Sequence, residues 1–209
     1  MLRKHVQFVT LVVLCLFSVP AGGGRRVSAT EGDVTAVLAG GCFWGVEAVF
    51  EHVRGVRSVT SGFAQYAAAS SPAAVEAVRI VYDPSLVTYR QLLEIFFLVA
   101  HDPTTRDRQG PDVGPEYRAV VLYGTPAERE AAEAYLAELT RSGRFRLPIV
   151  TEIRALSRFG IAGDDHQDYA ARHPTSPYIV QNDLPKLERL QQLFPTLYKK
   201  PGDRIEVRR

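Results

Sequence analysis

A buried strand that runs straight into a helix is predicted by the stretch Val34-Thr35-Ala36-Val37-Leu38-Ala39-Gly40-Gly41-Cys42-Phe43-Trp44-Gly45-Val46-Glu47. Its first six residues form an apolar run typical of a buried strand. After the two glycines, apolar residues recur at helical spacing as far as Val53. Cys42 therefore lies at a strand-to-helix turn. The only other cysteine is Cys15.

The rest of the chain predicts an alternation of strands and helices in one α+β domain, with helices packed on a mixed sheet. Further strands are predicted at residues 56–62, 75–82, 118–123 and 149–155. Capping boxes at Thr88 and Thr125 predict the starts of two helices, the first continuing to residue 100. Leucines near the C-terminus line one face of a last helix. No repeat or low-complexity linker interrupts this pattern.

The N-terminal segment has the pattern of an export signal. Basic residues precede an apolar run that is too short to cross a bilayer comfortably, and small residues follow it. We expect residues 1–29 to be a signal peptide, residues 30–209 to be the working domain, and the protein to be exported, for example to the periplasm. An uncleaved membrane anchor is the alternative. Without residues 1–29 the domain is about neutral, which points to neither nucleic acid nor a membrane surface as a partner.

The position of Cys42 predicts a reactive thiol. Unpaired backbone N–H groups at the first turn of a helix stabilise negative charge and lower the pKa of a cysteine there. Phe43 and Trp44 can form an apolar wall suited to a methyl or thioether group. A buried structural cysteine between two core aromatic residues is the alternative.

Glu76 is a candidate general acid. It begins the predicted strand at 75–82, where a period of two places it on the same face as Val78 and Ile80. A carboxyl on an apolar face has a raised pKa and can keep its proton near neutral pH. An ordinary exposed glutamate at the start of a strand is the alternative.

Two polar segments offer further candidate groups. The long loop at 101–118 contains Asp112 and Tyr117, both able to form hydrogen bonds with a ligand. The segment at 163–167 contains His166, a candidate base or ligand, although a surface turn with a structural histidine fits equally well. No histidine or cysteine spacing typical of a metal site is present, so we expect no bound metal or other bound cofactor.

Together these motifs resemble the A-type peptide methionine sulfoxide reductases. The blocks that carry the resemblance are Gly41 to Glu47, Glu76 to Val78 with Tyr82 to Pro84, His101 to Thr104, Arg108 to Gly110 with Asp112 and Gly114, Tyr117 with Arg118, and Asp165 to Gln167. They follow in order over residues 34–196. The resemblance implies a two-layer α/β sandwich with a ferredoxin-like core, and reduction of the S epimer of methionine sulfoxide, free or in oxidised proteins.

The resemblance also implies roles for the site residues. Cys42 would attack the sulfoxide sulfur and become a sulfenic acid, while Glu76 would protonate the oxygen. Tyr117 would hold that oxygen by a hydrogen bond. Phe43 and Trp44 would enclose the methyl group. The remaining substrate-binding positions would be Asp112, Phe63 and His166.

Three features depart from the family pattern. Phe63 stands where a second active-site tyrosine is usual, and we expect Tyr66, in a loop of small residues, not to replace it. The loop that follows is short and has Ala73-Ala74 in place of Gly-His. No cysteine follows Cys42, so its sulfenic acid needs an external thiol, from a thioredoxin-like protein or a small molecule. We expect a monomer.

Two other functions fit parts of the pattern. In a cysteine hydrolase or acyltransferase, Cys42 would be the nucleophile, His166 its base, and Asp165 or Asp112 the residue that orients the base. In a degenerate sulfoxide-binding protein, Phe63 and the short loop would reflect weak or absent activity.

Overall fold

A computed structural model describes residues 32–67 and 72–200, so the predicted signal peptide at 1–29 lies outside the described residues. Within these described residues, seven strands run in the order β1 Val34–Ala39, β2 Val56–Ala67, β3 Pro72–Tyr82, β4 Arg108–Gln109, β5 Asp112–Val113, β6 Val120–Tyr123 and β7 Glu152–Ile161. The helices between and after them are α1 Phe43–Glu51, α2 Tyr89–Ile95, α3 Pro126–Arg141, α4 Tyr169–Arg172, α5 Pro177–Asn182 and α6 Leu184–Leu193. The mixed α/β composition agrees with the prediction.

Five strands form one sheet that closes on itself, in the order β1-β3-β2-β7-β6. All neighbours are antiparallel except β6 and β7, and β6 also pairs with β1 to complete the ring. The expected two-layer sandwich with a ferredoxin-like core is therefore not what the sheet forms. Two register shifts bend β2, between Val56 and Ser58 and between Gln65 and Tyr66. Such irregularities increase local twist, which lets long strands curl into a ring.

Helix α1 lies against the sheet and presents Cys42 at its N-terminal end. Its apolar residues Val46, Val49 and Phe50 are at most 1% exposed and belong to the main core. That core also contains buried residues of α2 and of the π-helical turn Phe96–Ala100 that continues it. The capping boxes predicted at Thr88 and Thr125 are both present.

Several boundaries differ from the sequence prediction because sheet pairing extends or shifts the strands. Tyr66, expected in a loop, lies in β2, is 1% exposed, and pairs with both neighbouring strands. Tyr117, in the loop predicted at 101–118, lies in the 3-10 turn Pro115–Tyr117, and the strand predicted at 118–123 begins at Val120. Strand β7 begins at Glu152 because its pairing with β6 begins there. Within residues 32–67 and 72–200, the structure contains no helix long and apolar enough to span a bilayer.

Candidate active site

The turn between β1 and α1 leaves the side chain of Cys42 almost fully buried. Cys42 is the N-cap of α1 and only 9% exposed. Gly41 has φ +88°, a conformation that favours glycine. The side chain of Gln109 occupies the space that a Cβ at Gly41 would need. Glycine is thus required here for both the turn and the close approach of the loop at 101–118.

The expected lowering of the Cys42 pKa is wrong for the free protein. Burial raises the pKa of the Cys42 thiol to about 12, and the negative charges of Glu76 and Asp183 also raise it. Hydrogen bonds from the Tyr178 hydroxyl and the Trp44 backbone N–H act in the opposite direction but are weaker. Loss of hydration around a charged sulfur therefore outweighs the helix terminus. The resting site holds a protonated thiol.

Glu76 lies beside Cys42 although the two are far apart in sequence. Its Oε2 accepts a hydrogen bond of 3.0 Å from the backbone N–H of Phe43, the residue after Cys42. Burial raises the pKa of Glu76 to about 7, the Phe43 hydrogen bond lowers it, and the charges of Asp112 and Glu116 raise it further. A carboxyl with this pKa can give up or take a proton near neutral pH.

Tyr117 and Asp112 converge on the same place from the loop at 101–118. Burial raises the pKa of Tyr117 to about 12, with further contributions from the charges of Glu76, Asp112 and Cys42. Asp112 Oδ2 accepts a hydrogen bond of 2.5 Å from the hydroxyl of Tyr178. The structure thus brings together the thiol and two carboxyl groups around the phenol of Tyr117.

Tyr178 is a site residue that the sequence analysis missed. It lies in α5, and its hydroxyl is close enough to interact with both Cys42 and Asp112. A lone tyrosine after a proline has no spacing relative to Cys42 that predicts contact, so the sequence does not indicate a role for Tyr178. Only packing of α5 against the turn makes the contact.

Aromatic rings form one wall of the site. The ring centroids of Phe43 and Phe63 are 5.7 Å apart, and Phe63 pairs directly across from Glu76 in the sheet. Trp44 stacks on Tyr169 at 3.7 Å with an interplanar angle of 8° and meets Tyr178 edge-on. Phe63 is 43% exposed, so the wall is open to a side chain entering from outside.

His166 belongs to this aromatic wall rather than to the thiol. Its ring lies 5.3 Å from Phe43 and 6.0 Å from Trp44, and its Nε2 is 3.7 Å from Asp165. The groups that shift the pKa of the Cys42 thiol, besides its burial, are Tyr178, Glu76, the Trp44 N–H and Asp183. The side-chain contacts found for His166 are thus with Phe43, Trp44 and Asp165, an arrangement that does not favour the thiol and imidazole pair of a cysteine hydrolase.

A cavity of about 720 Å³ opens beside Cys42. Cys42, Asp112 and Tyr178 line it, together with Gln109 and residues of α6. Glu76, Tyr117 and the aromatic wall residues do not. Cys42 thus borders both the face formed by Glu76 and the aromatic rings and this cavity, and Asp112 and Tyr178 line the cavity with it. Across residues 32–67 and 72–200, no group of three acidic, histidine or cysteine side chains is placed to hold a metal ion.

Comparison with known proteins gives one consistent result. The peptide methionine sulfoxide reductase family matches residues 34–197. Peptide methionine sulfoxide reductase MsrA 2 of Mesorhizobium japonicum is 43% identical, covering 81% of this chain and 92% of the relative; MsrA 2 of Synechocystis is 44% identical, covering 78% and 81%. The reduced form of Mxr1 from Saccharomyces cerevisiae superimposes with a TM-score of 0.63 at 26% identity, covering 73% of this chain and 92% of that one.

Proposed function

Since this chain belongs to the peptide methionine sulfoxide reductase family, we propose that Cys42, Glu76 and Tyr117 carry out its reaction. The enzyme reduces methionine-S-sulfoxide to methionine at the expense of thiols. The observation that carries the proposal is the hydrogen bond from the Phe43 N–H to Glu76, because it holds a carboxyl with a raised pKa next to the thiol.

In the proposed reaction, Cys42 Sγ attacks the sulfoxide sulfur while protonated Glu76 gives its proton to the sulfoxide oxygen. An Sγ–S bond forms first. The S–O and Sγ–S bonds then break as the hydroxyl moves to Sγ, so that methionine leaves and Cys42 becomes a sulfenic acid. The substrate sulfur gains two electrons and the Cys42 sulfur loses two. The thiol proton returns to Glu76, which explains how a thiol with a pKa of about 12 can react near neutral pH.

The surrounding groups would position the two sulfur atoms. Tyr117, close to Glu76 and Cys42, would donate a hydrogen bond to the oxygen. Phe43 and Trp44 would enclose the methyl group, with Phe63 and His166 completing the wall. The single O–H of Tyr178, donated to Asp112 at rest, would turn to the Cys42 sulfur when that sulfur carries negative charge.

An external thiol would restore Cys42, because the described residues contain no second cysteine. The first thiol forms a disulfide with Cys42 and releases water; a second thiol releases Cys42. We also propose export, with residues 1–29 removed, on the basis of the charged and apolar pattern of that segment.

Methionine release from the purified S-sulfoxide with dithiothreitol tests the assignment. Cys42→Ser should release no methionine. Glu76→Gln keeps the size of the side chain but has no proton to give, so the rate of the first turnover should fall about 10²- to 10⁴-fold. The matched control is Glu130→Gln, the same change at an exposed position of α3, and it should stay within about threefold of wild type.

The rate of the first turnover should fall as the pH rises above the pKa of Glu76. Glu76 must be protonated to act as the acid, and its pKa is about 7. The first-turnover rate should therefore be level below pH 6 and decline about tenfold per pH unit well above pH 7, whereas Glu76→Gln should lack this decline. Methionine release by Cys42→Ser, or an unchanged rate in Glu76→Gln, would contradict the assignment.

A further inference from the structure

The cavity beside Cys42 is rich in positive charge. Arg144 and Arg146, which follow α3, line it, as do Lys186 and Arg189 of α6. The acidic residues that line it are Asp102 and Asp112. Because burial lowers the pKa of His101 to about 4, that lining residue adds no charge at neutral pH. The cavity therefore has an excess of cations.

The two acidic residues are already engaged. Asp112 accepts the hydrogen bond from Tyr178, and Asp102 accepts hydrogen bonds from the backbone and hydroxyl of Thr104. Lys186 pairs with Asp183 at 3.1 Å, and Arg189 donates to the Leu98 carbonyl. The ion pairs formed by arginines in the described part of the chain include neither Arg144 nor Arg146. These two guanidinium groups are available to an anionic ligand.

Access to the sulfur is the second observation. Cys42 lines this cavity, whereas Glu76 and the aromatic wall lie outside its lining. A molecule in the cavity would therefore lie against Cys42 without contacting Glu76 or the aromatic wall. A volume of about 720 Å³ is in the range that holds a small organic ligand rather than a protein.

We propose that this cavity is the binding site for the recycling reductant, a low-molecular-weight thiol that carries one or more carboxylates. The inference rests on the proposed function, since it concerns the oxidised form of Cys42. The carboxylates pair with Arg144 and Arg146, and the thiol sulfur faces Cys42. The sulfur of the small thiol attacks the sulfenic sulfur; an S–S bond forms, the S–O bond breaks, and the hydroxyl leaves as water with the thiol proton. A second molecule of the thiol then reduces this disulfide and frees Cys42.

A charge series of thiols tests the proposal. Multiple-turnover rates of the full chain are measured with mercaptosuccinate, which is anionic, and with 2-mercaptoethanol, which is neutral. In the double variant Arg144→Gln with Arg146→Gln, the ratio of the mercaptosuccinate rate to the 2-mercaptoethanol rate should fall about three- to tenfold. Comparing ratios removes differences in the intrinsic reactivity of the two thiols. For wild type, high salt should reduce the same ratio.

Two controls separate charge from folding. Arg141→Gln changes an exposed arginine at the end of α3 that does not line the cavity, and its ratio should match that of wild type. Arg144→Lys with Arg146→Lys keeps the charges and should restore most of the preference. Thermal unfolding of each variant checks that it is folded.

An unchanged ratio in the double glutamine variant would overturn the proposal. So would a comparable loss in the first turnover without reductant, because that step involves the sulfoxide only and would assign the arginines to the substrate. If no thiol supports methionine release even in wild type, it is the proposed function that fails. If dithiothreitol supports methionine release but the ratio of the mercaptosuccinate rate to the 2-mercaptoethanol rate is the same in wild type and in the double glutamine variant, only the inference about the cavity fails.

Discussion

At the residue scale, Phe63 is the most informative departure from the family pattern. It pairs directly with Glu76 across β2 and β3, and its ring contacts Phe43. Tyr66, the nearest tyrosine in sequence, cannot take its place: three residues along a strand reverse the face, and Tyr66 is buried in a second cluster away from the thiol. Tyr66 of β2 therefore does not supply the hydroxyl group that Phe63 lacks.

We predict that Phe63→Tyr accelerates the first turnover by about 10- to 100-fold. The new hydroxyl would lie beside Glu76, where a hydrogen bond to developing charge contributes about 1.5 to 3 kcal/mol. Single-turnover methionine release measures the effect. Tyr66→Phe, which removes a hydroxyl outside the site, serves as the control and should leave the rate within about twofold. If Phe63→Tyr has the wild-type rate, another group already holds the oxygen, and Tyr178 is the first to consider.

At the scale of elements, α1 connects the thiol to a buried acidic cluster. Burial raises the pKa of Glu47 to about 7, and the nearby charge of Asp168 raises it further. Burial raises the pKa of Glu51 to about 8, with a hydrogen bond involving Asp168 as the next cause. Asp168 has φ +51° and precedes Tyr169, which stacks on Trp44. Through these carboxyl groups α1 is coupled to the aromatic wall.

The sign of the resulting pH effect follows from proton binding. The folded protein holds protons on Glu47 and Glu51 that the unfolded chain loses above about pH 4.5. Stability from these groups is thus present at low pH and lost as the pH rises through 7 to 8. Glu47→Gln cannot ionise and should be more stable than wild type by about 1 to 3 kcal/mol at pH 9, with little difference at pH 5.

Chemical denaturation at pH 5 and pH 9 measures the free energy of unfolding of wild type and of Glu47→Gln. Glu130→Gln, on the exposed face of α3, is the matched control and should show no pH-dependent gain. A Glu47→Gln protein that is equally or less stable than wild type at pH 9 would mean that the ionised carboxylate is compensated in the fold.

At the scale of the whole molecule, the recycling of Cys42 requires an external thiol because no second cysteine is expected in the processed domain. The described residues hold one cysteine, and Cys15 lies in the segment predicted to be removed. After stoichiometric sulfoxide without reductant, the intact mass of the domain without residues 1–29 should show one added oxygen and no internal disulfide. The mass of the protein from its native cells should correspond to a chain without that segment. A disulfide within the processed domain would contradict recycling by an external thiol.

Much of the fold could be predicted because its determinants are local. The strand at Val34–Ala39, both capping boxes and the turn that carries Cys42 depend on neighbouring residues in the chain, and all are present in the structure. The ends of β2 and β7 were less predictable, since they are set by pairing with strands that are distant in sequence.

What the sequence by itself determined is the lone thiol at a strand-to-helix turn, the carboxyl and phenol candidates, and the family to which they belong. Only the tertiary structure decided that the sheet closes into a ring, that Tyr178 reaches Cys42, and that the thiol is protonated at rest. The physical reason is that caps and turns depend on adjacent residues. Closure of the sheet, the contact of Tyr178 with Cys42 and the burial of the sulfur each depend on many contacts between segments that are distant in sequence. A local sequence pattern therefore does not predict them.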